Sequence, residues 1–421
     1  MNIKKLLPKI SLGTIRKTFL IILIVLFSSG VGYYLGSANL RAEYEKFPKV
    51  VITRELPPGK QTLDFSLFWR IWDTLHSSYL DKDNLIDAKL VYGAIRGMVA
   101  AVGDPYTVFL SPDENRVVQE DLSGQFEGVG IQIGFKGSRL AVISPLPDTP
   151  AESSGIKAGD LIVGIIDEQK GIDRGTDGIT LPEAVQLIRG PAGSKVTLVL
   201  TREGSDEPFE IEVVRSRIDV ASIELKFVGE GENVAYIRVL KFGEETFAEW
   251  DSTVSEVLQS GVKKAVLDLR NNPGGYLQGA VDLGAEFLDN GRVVVIEENA
   301  NGERSELKSE SIGKLKNLNL VVLVNGGSAS ASEILAGALR DDLGVTIVCE
   351  KTFGKGTIQE PQQFEGGASL HITIAKWLTP KGTWVNDSGL EPDVTIEDNP
   401  DTEEDEQLLK AIEILSANSQ D

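Results

Sequence analysis

The chain has 421 residues, enough for two or three domains, and its 41% hydrophobic and 25% charged content is that of a globular protein. The formal net charge is −21 and all 63 acidic residues lie beyond Ala42, so the body lacks the basic surface that a nucleic-acid partner would need. A single cysteine, Cys349, excludes an intrachain disulfide, and two histidines, His76 and His371, leave no HExxH or Cys/His zinc cluster and only two candidates for any Ser-His-Asp triad.

Lys4, Lys5, Lys9, Arg16 and Lys17 form a basic segment, 1–17, ahead of an uncharged apolar run at 19–35. This pattern predicts a signal anchor or transmembrane helix over 18–37, with the basic flank in the cytoplasm and the body outside it. The expected location is the cell membrane, single-pass, and the membrane is a partner through this helix. A cleaved secretory signal ending near Gly36-Ser37-Ala38 is the alternative. Residues 38–64, with Pro48, Pro57 and Pro58, read as a linker. A helical region, 65–120, follows. Phe65, Phe68, Trp69, Trp72 and Leu75 recur at helical spacing over 65–79, and a second helix is expected over 86–102, both packing into a core.

From about Leu122 the pattern changes to short strands and glycine turns. Phe126, Gly128, Val129, Gly130 and Ile131 have the form of a PDZ carboxylate-binding loop leading into a strand, where backbone N–H groups hold a peptide's terminal carboxylate and the strand edge pairs with the peptide. The segment from Thr149-Pro150-Ala151 through Gly155-Ile156-Lys157-Ala158-Gly159-Asp160 closely resembles the PDZ short helix and turn. Leu181–Ile188 reads as the second PDZ helix, with closing strands at 196–201 and 209–215. A PDZ domain is therefore expected over 121–217.

Residues 218–398 read as α/β, with strands at 234–239 and 264–269 and a helix at 245–260 between them. Arg270-Asn271-Asn272-Pro273-Gly274-Gly275 then leads into a helix at 276–288. Leu320–Val324 is a short β-branched run of the kind buried on both sheet faces. It breaks at Asn325-Gly326-Gly327 and gives way to a helix from Ser330, with Ser328, Ser330 and Ser332 at its start. Ser330 and Glu333 form S-x-x-E, a capping box that accounts for Ser330 structurally. The same position offers a nucleophile beside unpaired helix N–H groups. A strand at 346–350 holds Cys349, read as a core residue, and is followed by Lys351-Thr352-Phe353-Gly354-Lys355-Gly356-Thr357-Ile358-Gln359. The segment 399–421 reads as an acidic tail and an amphipathic helix through Leu408, Leu409, Ile412 and Leu415.

The PDZ loop, RNNPGG, SASASE and KTFGKGTIQ, in this order, resemble the carboxyl-terminal processing peptidases, the tail-specific serine proteases of peptidase family S41. The resemblance covers about 65–412. It implies an α/β protease core of strand–turn–helix crossovers over 218–398, an inserted PDZ domain, a helical N-terminal region and an N-terminal transmembrane helix. It further implies a Ser-Lys dyad at Ser330 and Lys355, support from Gln359, and an oxyanion hole from the N–H groups of Ala331 and Gly275. The chain departs from the family's common pattern at Pro273, where glycine is frequent. No metal or organic cofactor is implied.

The chemistry agrees with that assignment. A lysine can act as base only when neutral, so its pKa must fall from about 10.4 toward 7–8. Burial near Phe353 and Ile358 would do this, and a hydrogen bond from the Gln359 amide would orient the amine. Lys355 as a solvated surface lysine is the structural alternative. His371, in an alternating strand, is expected on the face away from the site. The expected function is that of a serine endopeptidase taking protein substrates with accessible, apolar C-terminal tails, with Arg189 linking bound peptide to the core; a homo-oligomer is compatible with this. The alternative is a non-catalytic PDZ adaptor or tail-binding chaperone on a protease fold.

Overall fold

The structure, a computed structural model, describes residues 64–82, 85–136, 139–146, 148–179, 181–202, 207–397 and 404–417. The basic segment 1–17, the anchor 18–37, nearly all of the linker 38–64 and the acidic residues Asp401 and Glu403 lie outside them. Among the described residues no helix is long and apolar enough to cross a membrane. The chain divides into two compact units, one up to Ala101 and one from Val102.

The first unit contains helices Ser66–Ser78 and Asp87–Ala100, close to the ranges read from spacing. They are not core helices in the expected sense. Ser66–Ser78 has no buried residue, and only Ala88 and Val99 are buried in the other. The aromatic residues pack on one another along the helix instead: Phe68 lies 6.2 Å from Trp72, and Trp72 stacks on His76 at 5.1 Å. His76 Nε2 bonds Asp87 at 2.8 Å and ties the two helices together.

The second unit is built on a six-stranded sheet ordered Ile223–Val228, Val234–Val239, Lys264–Asp268, Asn319–Val324, Thr346–Cys349 and Val394–Thr395. The first pair is antiparallel and every later pairing is parallel. Parallel neighbours need crossovers; helices Thr246–Ser260, Leu277–Ala285 and Ala331–Leu343 supply the first three, and the last runs through strands Thr357–Gln363 and Ser369–Leu378. One sheet face packs these helices through Trp250, Val254, Leu283, Leu335 and Leu339. The other is covered by the C-terminal helix Glu406–Ala417, whose Ala411 and Leu415 lie on Val321, Leu323 and Cys349. Arg270 anchors the start of that helix, reaching Asp268, Asp405 and Gln407 at 2.6–2.9 Å. Cys349 is a core residue, as read, and burial pushes its thiol up to about 12.

A second, antiparallel sheet pairs Ser369–Leu378 with Val108–Leu110, Val293–Asn299 and Thr357–Gln363. Helix Pro112–Ser123 docks onto it through Asn115, which bonds Gln363, Gly367 and Ser369 at 2.9 Å. Its sequence signal was plain: Ser111 and Glu114 form a capping box with Pro112 at the first helical position.

A smaller β-domain leaves and rejoins this body through a two-stranded ribbon, Gln125–Gly128 paired with Ser216–Asp219. Its sheet runs Ile131–Lys136, Arg139–Pro145, Leu161–Asp167, Lys195–Thr201, Phe209–Val214. Ile131–Lys136 is an edge strand, and helix Leu181–Ile188 belongs to the same core through Ala184 and Ile188.

The C-terminal helix gives a direct test of packing. Leu415→Ala, at a fully buried site, is expected to cost about 2–5 kcal/mol, and Leu409→Ala, on the exposed face, about 0.5 kcal/mol or less. Urea denaturation of the two variants measures both.

Candidate active site

Three neighbouring parallel strands end side by side, with Asp268 opposite Leu323 and Val324 opposite Cys349. The turns that leave those ends carry the motifs read from the sequence: 269–276, 325–330 and 350–356. The turns are bonded to one another. Asn271 N–H donates to Asn325 Oδ1 at 2.8 Å and Asn325 Nδ2 to Asn271 Oδ1 at 3.0 Å. Ala329 N–H donates to Asn272 O at 3.0 Å.

The three serines separate cleanly in this setting. Ser328 Oγ donates to Leu269 O at 2.8 Å and Ser332 Oγ to Asn272 O at 2.9 Å, and both residues are fully buried. Their hydroxyls hold the serine turn to the 269–276 turn. Ser330 is partly exposed, at the residue before helix Ala331–Leu343, with φ +54° and ψ −113°. Such a conformation in a residue with a Cβ costs about 1–3 kcal/mol and is kept only where the surroundings enforce it. The strain turns Ser330 out of the helix start while its two neighbours anchor the turn.

Gly274 and Gly275 lie against this corner. At φ +101°, a Cβ on Gly274 would fall 3.0 Å from Ser330 Cβ and 3.1 Å from Ala331 N. One on Gly275, at φ +138°, would fall 2.2 Å from Phe242 O. Only glycine allows both approaches. Phe242 N–H donates to Gly274 O, and Tyr276 N–H donates to Phe242 O. In that parallel bridge the N–H and C=O of Gly275 itself point away from Phe242. Ala331 is the first helical residue, whose N–H has no partner inside the helix.

Glu333 joins the serine to the lysine. Its carboxylate, fully buried, accepts Ser330 N–H at 2.9 Å and Lys355 N–H at 2.9 Å on one oxygen, and Gly354 N–H at 2.8 Å and Thr352 Oγ1 at 2.5 Å on the other. The capping reading of Glu333 covers only the first of these four bonds. A charged residue inside a helix start that is otherwise small or apolar was the available signal for the rest, because a buried carboxylate needs several donors.

Lys355 is half-buried, and burial holds its amine below the ordinary lysine value against the opposing pull of Asp104 and Glu333. The neighbours differ from those expected. Phe353 is 56% exposed; the ring facing the amine belongs to Tyr106, 5.2 Å from Nζ. No sequence spacing pointed to Tyr106, which arrives because Val108–Leu110 pairs with Ser369–Leu378. Gln359 also differs. Its Nε2 donates to Thr357 Oγ1 at 2.8 Å and Thr373 Oγ1 at 3.1 Å, so it is not the donor to the lysine that was expected. His371 is not turned away. Gln359 pairs with Thr373 and Pro361 with His371, which puts His371 on the Thr373 face, and burial followed by the Lys355 charge lowers its pKa. Among the described residues no hydrogen bond joins Ser330 Oγ to Lys355 Nζ.

In the β-domain, Phe126 and Gly128 belong to the connecting ribbon, which leaves Val129-Gly130 as the turn before the edge strand that opens at Ile131. The turn's carbonyls are tied down by Ala151 N–H and Leu146 N–H, both at 2.9 Å. Thr149 Cβ lies 2.4 Å from where a Cβ of Gly130 would be, so the turn admits only glycine there. Arg189 stacks its guanidinium on the Phe126 ring at 4.5 Å and bonds Glu120 of helix Pro112–Ser123 at 2.9 Å.

Replacing Glu333 by glutamine leaves one acceptor oxygen and sets an NH2 against backbone donors. Glu333→Gln is expected to lower stability by about 2–3 kcal/mol, and Thr352→Val by about 1 kcal/mol, both read from denaturant midpoints.

Residues 233–396 match the peptidase family S41, and residues 117–201 match the PDZ domain. The carboxy-terminal processing protease CtpA of Bacillus subtilis is 34% identical over 328 residues, which are 78% of this chain and 68% of that protein. A "Probable CtpA-like serine protease" of Staphylococcus aureus is 37% identical over 78% of this chain and 64% of its own length. Of solved structures, a photosystem II D1 C-terminal processing protease is 30% identical, covering 79% of this chain and 92% of that one with a TM-score of 0.48. The chain belongs to peptidase family S41, among its PDZ-containing C-terminal processing serine proteases.

Proposed function

We propose that this chain is a serine endopeptidase that takes unstructured, apolar C-terminal tails on its PDZ domain and cuts the bound protein near that end. Ser330 is the nucleophile and Lys355 its base. The observation that carries this is the separation of the three serines: Ser328 and Ser332 are committed to hydrogen bonds, and Ser330 alone is strained, partly exposed and stapled through Glu333 to the lysine loop.

The reaction follows acyl-transfer chemistry. Ser330 Oγ bonds to the peptide carbonyl carbon as its proton passes to the neutral Lys355 amine. The Ala331 and Gly275 N–H groups receive the charge that develops on the carbonyl oxygen. Lys355 then returns the proton to the leaving amine, and water hydrolyses the acyl-serine. Gln359 orients the lysine.

Tail recognition rests on the PDZ match and on the free edge of Ile131–Lys136, to which a peptide can add as a strand. The N–H groups of Val129, Gly130 and Ile131 receive the terminal carboxylate, beside Phe126 and Gly128. Arg189, held between Phe126 and Glu120, links this turn to the protease body. The uncharged run 19–35 behind its basic flank supports a single-pass anchor with the protease outside the cytoplasm.

An unfolded protein ending in apolar residues is the test substrate. Wild type is expected to cleave it, Ser330→Ala to be inactive, and amidation of the substrate's C-terminus to slow cleavage. If wild type and Ser330→Ala bind the tail equally and neither cuts, the chain is an adaptor. Because only the neutral amine accepts a proton, kcat is expected to rise with pH through a midpoint below that of an ordinary lysine. A profile without that rise removes Lys355 as the base.

A further inference from the structure

We infer that Asn272 is a positioning residue of the oxyanion hole: its side-chain amide holds the glycine turn so that Gly275 N–H faces the serine corner. This rests on the Ser330–Lys355 reading above and adds what keeps the second oxyanion donor aimed.

Gly274 and Gly275 have φ +101° and +138°, and neither carries a Cβ to limit rotation of the peptide between them. The turn is sandwiched. A Cβ on Gly275 would meet Phe242 O, and one on Gly274 would meet Ser330 Cβ and Ala331 N. In a trans peptide the C=O and N–H point to opposite sides. Gly274 O accepts Phe242 N–H at 3.0 Å, so Gly275 N–H turns from Phe242 toward the serine side. Half a turn of that one peptide would exchange the two groups. A carbonyl oxygen would then stand where negative charge develops.

Asn272 opposes that rotation. It is fully buried, its Oδ1 accepts Gly274 N–H at 2.9 Å, and its Nδ2 donates to Val239 O at 2.7 Å. The orientation of this amide is unambiguous, because one partner is a backbone donor and the other a backbone acceptor. The inverted amide would set donor against donor and acceptor against acceptor. The bond to Gly274 closes over Pro273, which has no N–H to compete for it. Both peptides flanking Gly274 are thereby held, one by Asn272 and the other by Phe242. Through Val239 the two tethers refer to one segment, 239–242.

The same residue ties the turn to the nucleophile. Asn272 O accepts Ala329 N–H at 3.0 Å and Ser332 Oγ at 2.9 Å, on either side of Ser330. Its neighbours cannot take its place. Asn271 is exposed and paired with Asn325, and Pro273 has no polar side chain. Of the N–H groups at the corner, that of Ser330 is committed to Glu333. Among the described residues Ala331 N–H and Gly275 N–H donate to no other group, and the helix start fixes the first as Asn272 and Phe242 fix the second. Two donors held before the reaction begins are what an oxyanion hole requires.

The test uses the full chain as wild type, Asn272→Ala, Asn272→Ser and Ser330→Ala. Cleavage of the tail-bearing unfolded protein is followed across pH. Calorimetric titration is run with a peptide boronic acid carrying the residues that precede the mapped cut in that protein. Ser330 Oγ adds to the boron, its proton passes to Lys355, and one oxygen of the tetrahedral boronate occupies the oxyanion position. Asn272→Ala is expected to lower kcat by about tenfold to a hundredfold with KM little changed, and to weaken the boronate by a similar factor. The pH midpoint is expected to stay at the wild-type value, because the lysine is untouched. Asn272→Ser, whose hydroxyl can still accept Gly274 N–H, is expected to recover most of both losses. A smaller folded fraction lowers the number of boronate sites and not their affinity, so a variant that folds only in part still answers. Fewer sites of wild-type affinity in Asn272→Ala would overturn the inference and leave the dyad standing. Wild-type kcat in Asn272→Ala, or equal losses in Asn272→Ala and Asn272→Ser, would do the same. Wild type no more active than Ser330→Ala would instead remove the dyad itself, and the inference with it.

Discussion

Everything at the candidate site depends on one buried carboxylate. Glu333 is fully inaccessible, and an ionised group there is tolerable only because four donors surround it. Those donors come from both the serine turn and the lysine loop. Satisfying one charge therefore fixes the distance between two segments that leave different strands. The helix gains a favourable negative group in its first turn from the same residue. Capping and assembly of the site are one interaction.

Around that clamp, strain and burial are distributed with a purpose that the fold makes physical. Ser328 and Ser332 spend their hydroxyls on the 269–276 turn, and this holds Ser330 in a conformation it would not otherwise keep. Lys355 is half-buried over an aromatic ring; burial lowers its pKa, and Asp104 and Glu333 oppose the loss of its charge. The β-domain reaches this body through a two-stranded ribbon and through the Arg189–Glu120 contact. Glu120 shares its helix with Asn115, which bonds the strands beside Gln359. Helix Pro112–Ser123 thus contacts the β-domain through Glu120 and, through Asn115, the far end of the strand that carries Gln359.

Much of the fold was legible because its periodicities are strong. Leu320–Val324 is a continuous apolar run and Ala265–Leu267 a shorter one, as central strands require, and the glycine turns after them mark the strand ends where parallel sheets place sites. Motif spacing singled out Ser330 and Lys355, and the structure joins their two loops through Glu333. What escaped was whatever depends on contacts between distant segments. Tyr106 and Asp104 reach the lysine only through the pairing of Val108–Leu110 with Ser369–Leu378, which no local pattern announces. Phe353 looked like the residue that buries Lys355 because it is two positions away, but it is mostly exposed and the Tyr106 ring faces the amine instead. His371 was misplaced for the opposite reason: strand alternation was right, but which face looked at the site depended on the register with Thr357–Gln363. The helix Ser66–Ser78 had the spacing of a core helix but has no fully buried residue, and its half-buried aromatic side chains pack on one another.

The central claim is that one serine among three is the nucleophile and that Lys355 activates it. Covalent labelling with a fluorophosphonate, followed by peptide mass mapping, tests this most directly. The account predicts a single adduct on Ser330, formed faster as pH rises and abolished in Lys355→Ala. An adduct on Ser328 or Ser332, or labelling of Ser330 that is unaffected by loss of Lys355, would contradict it.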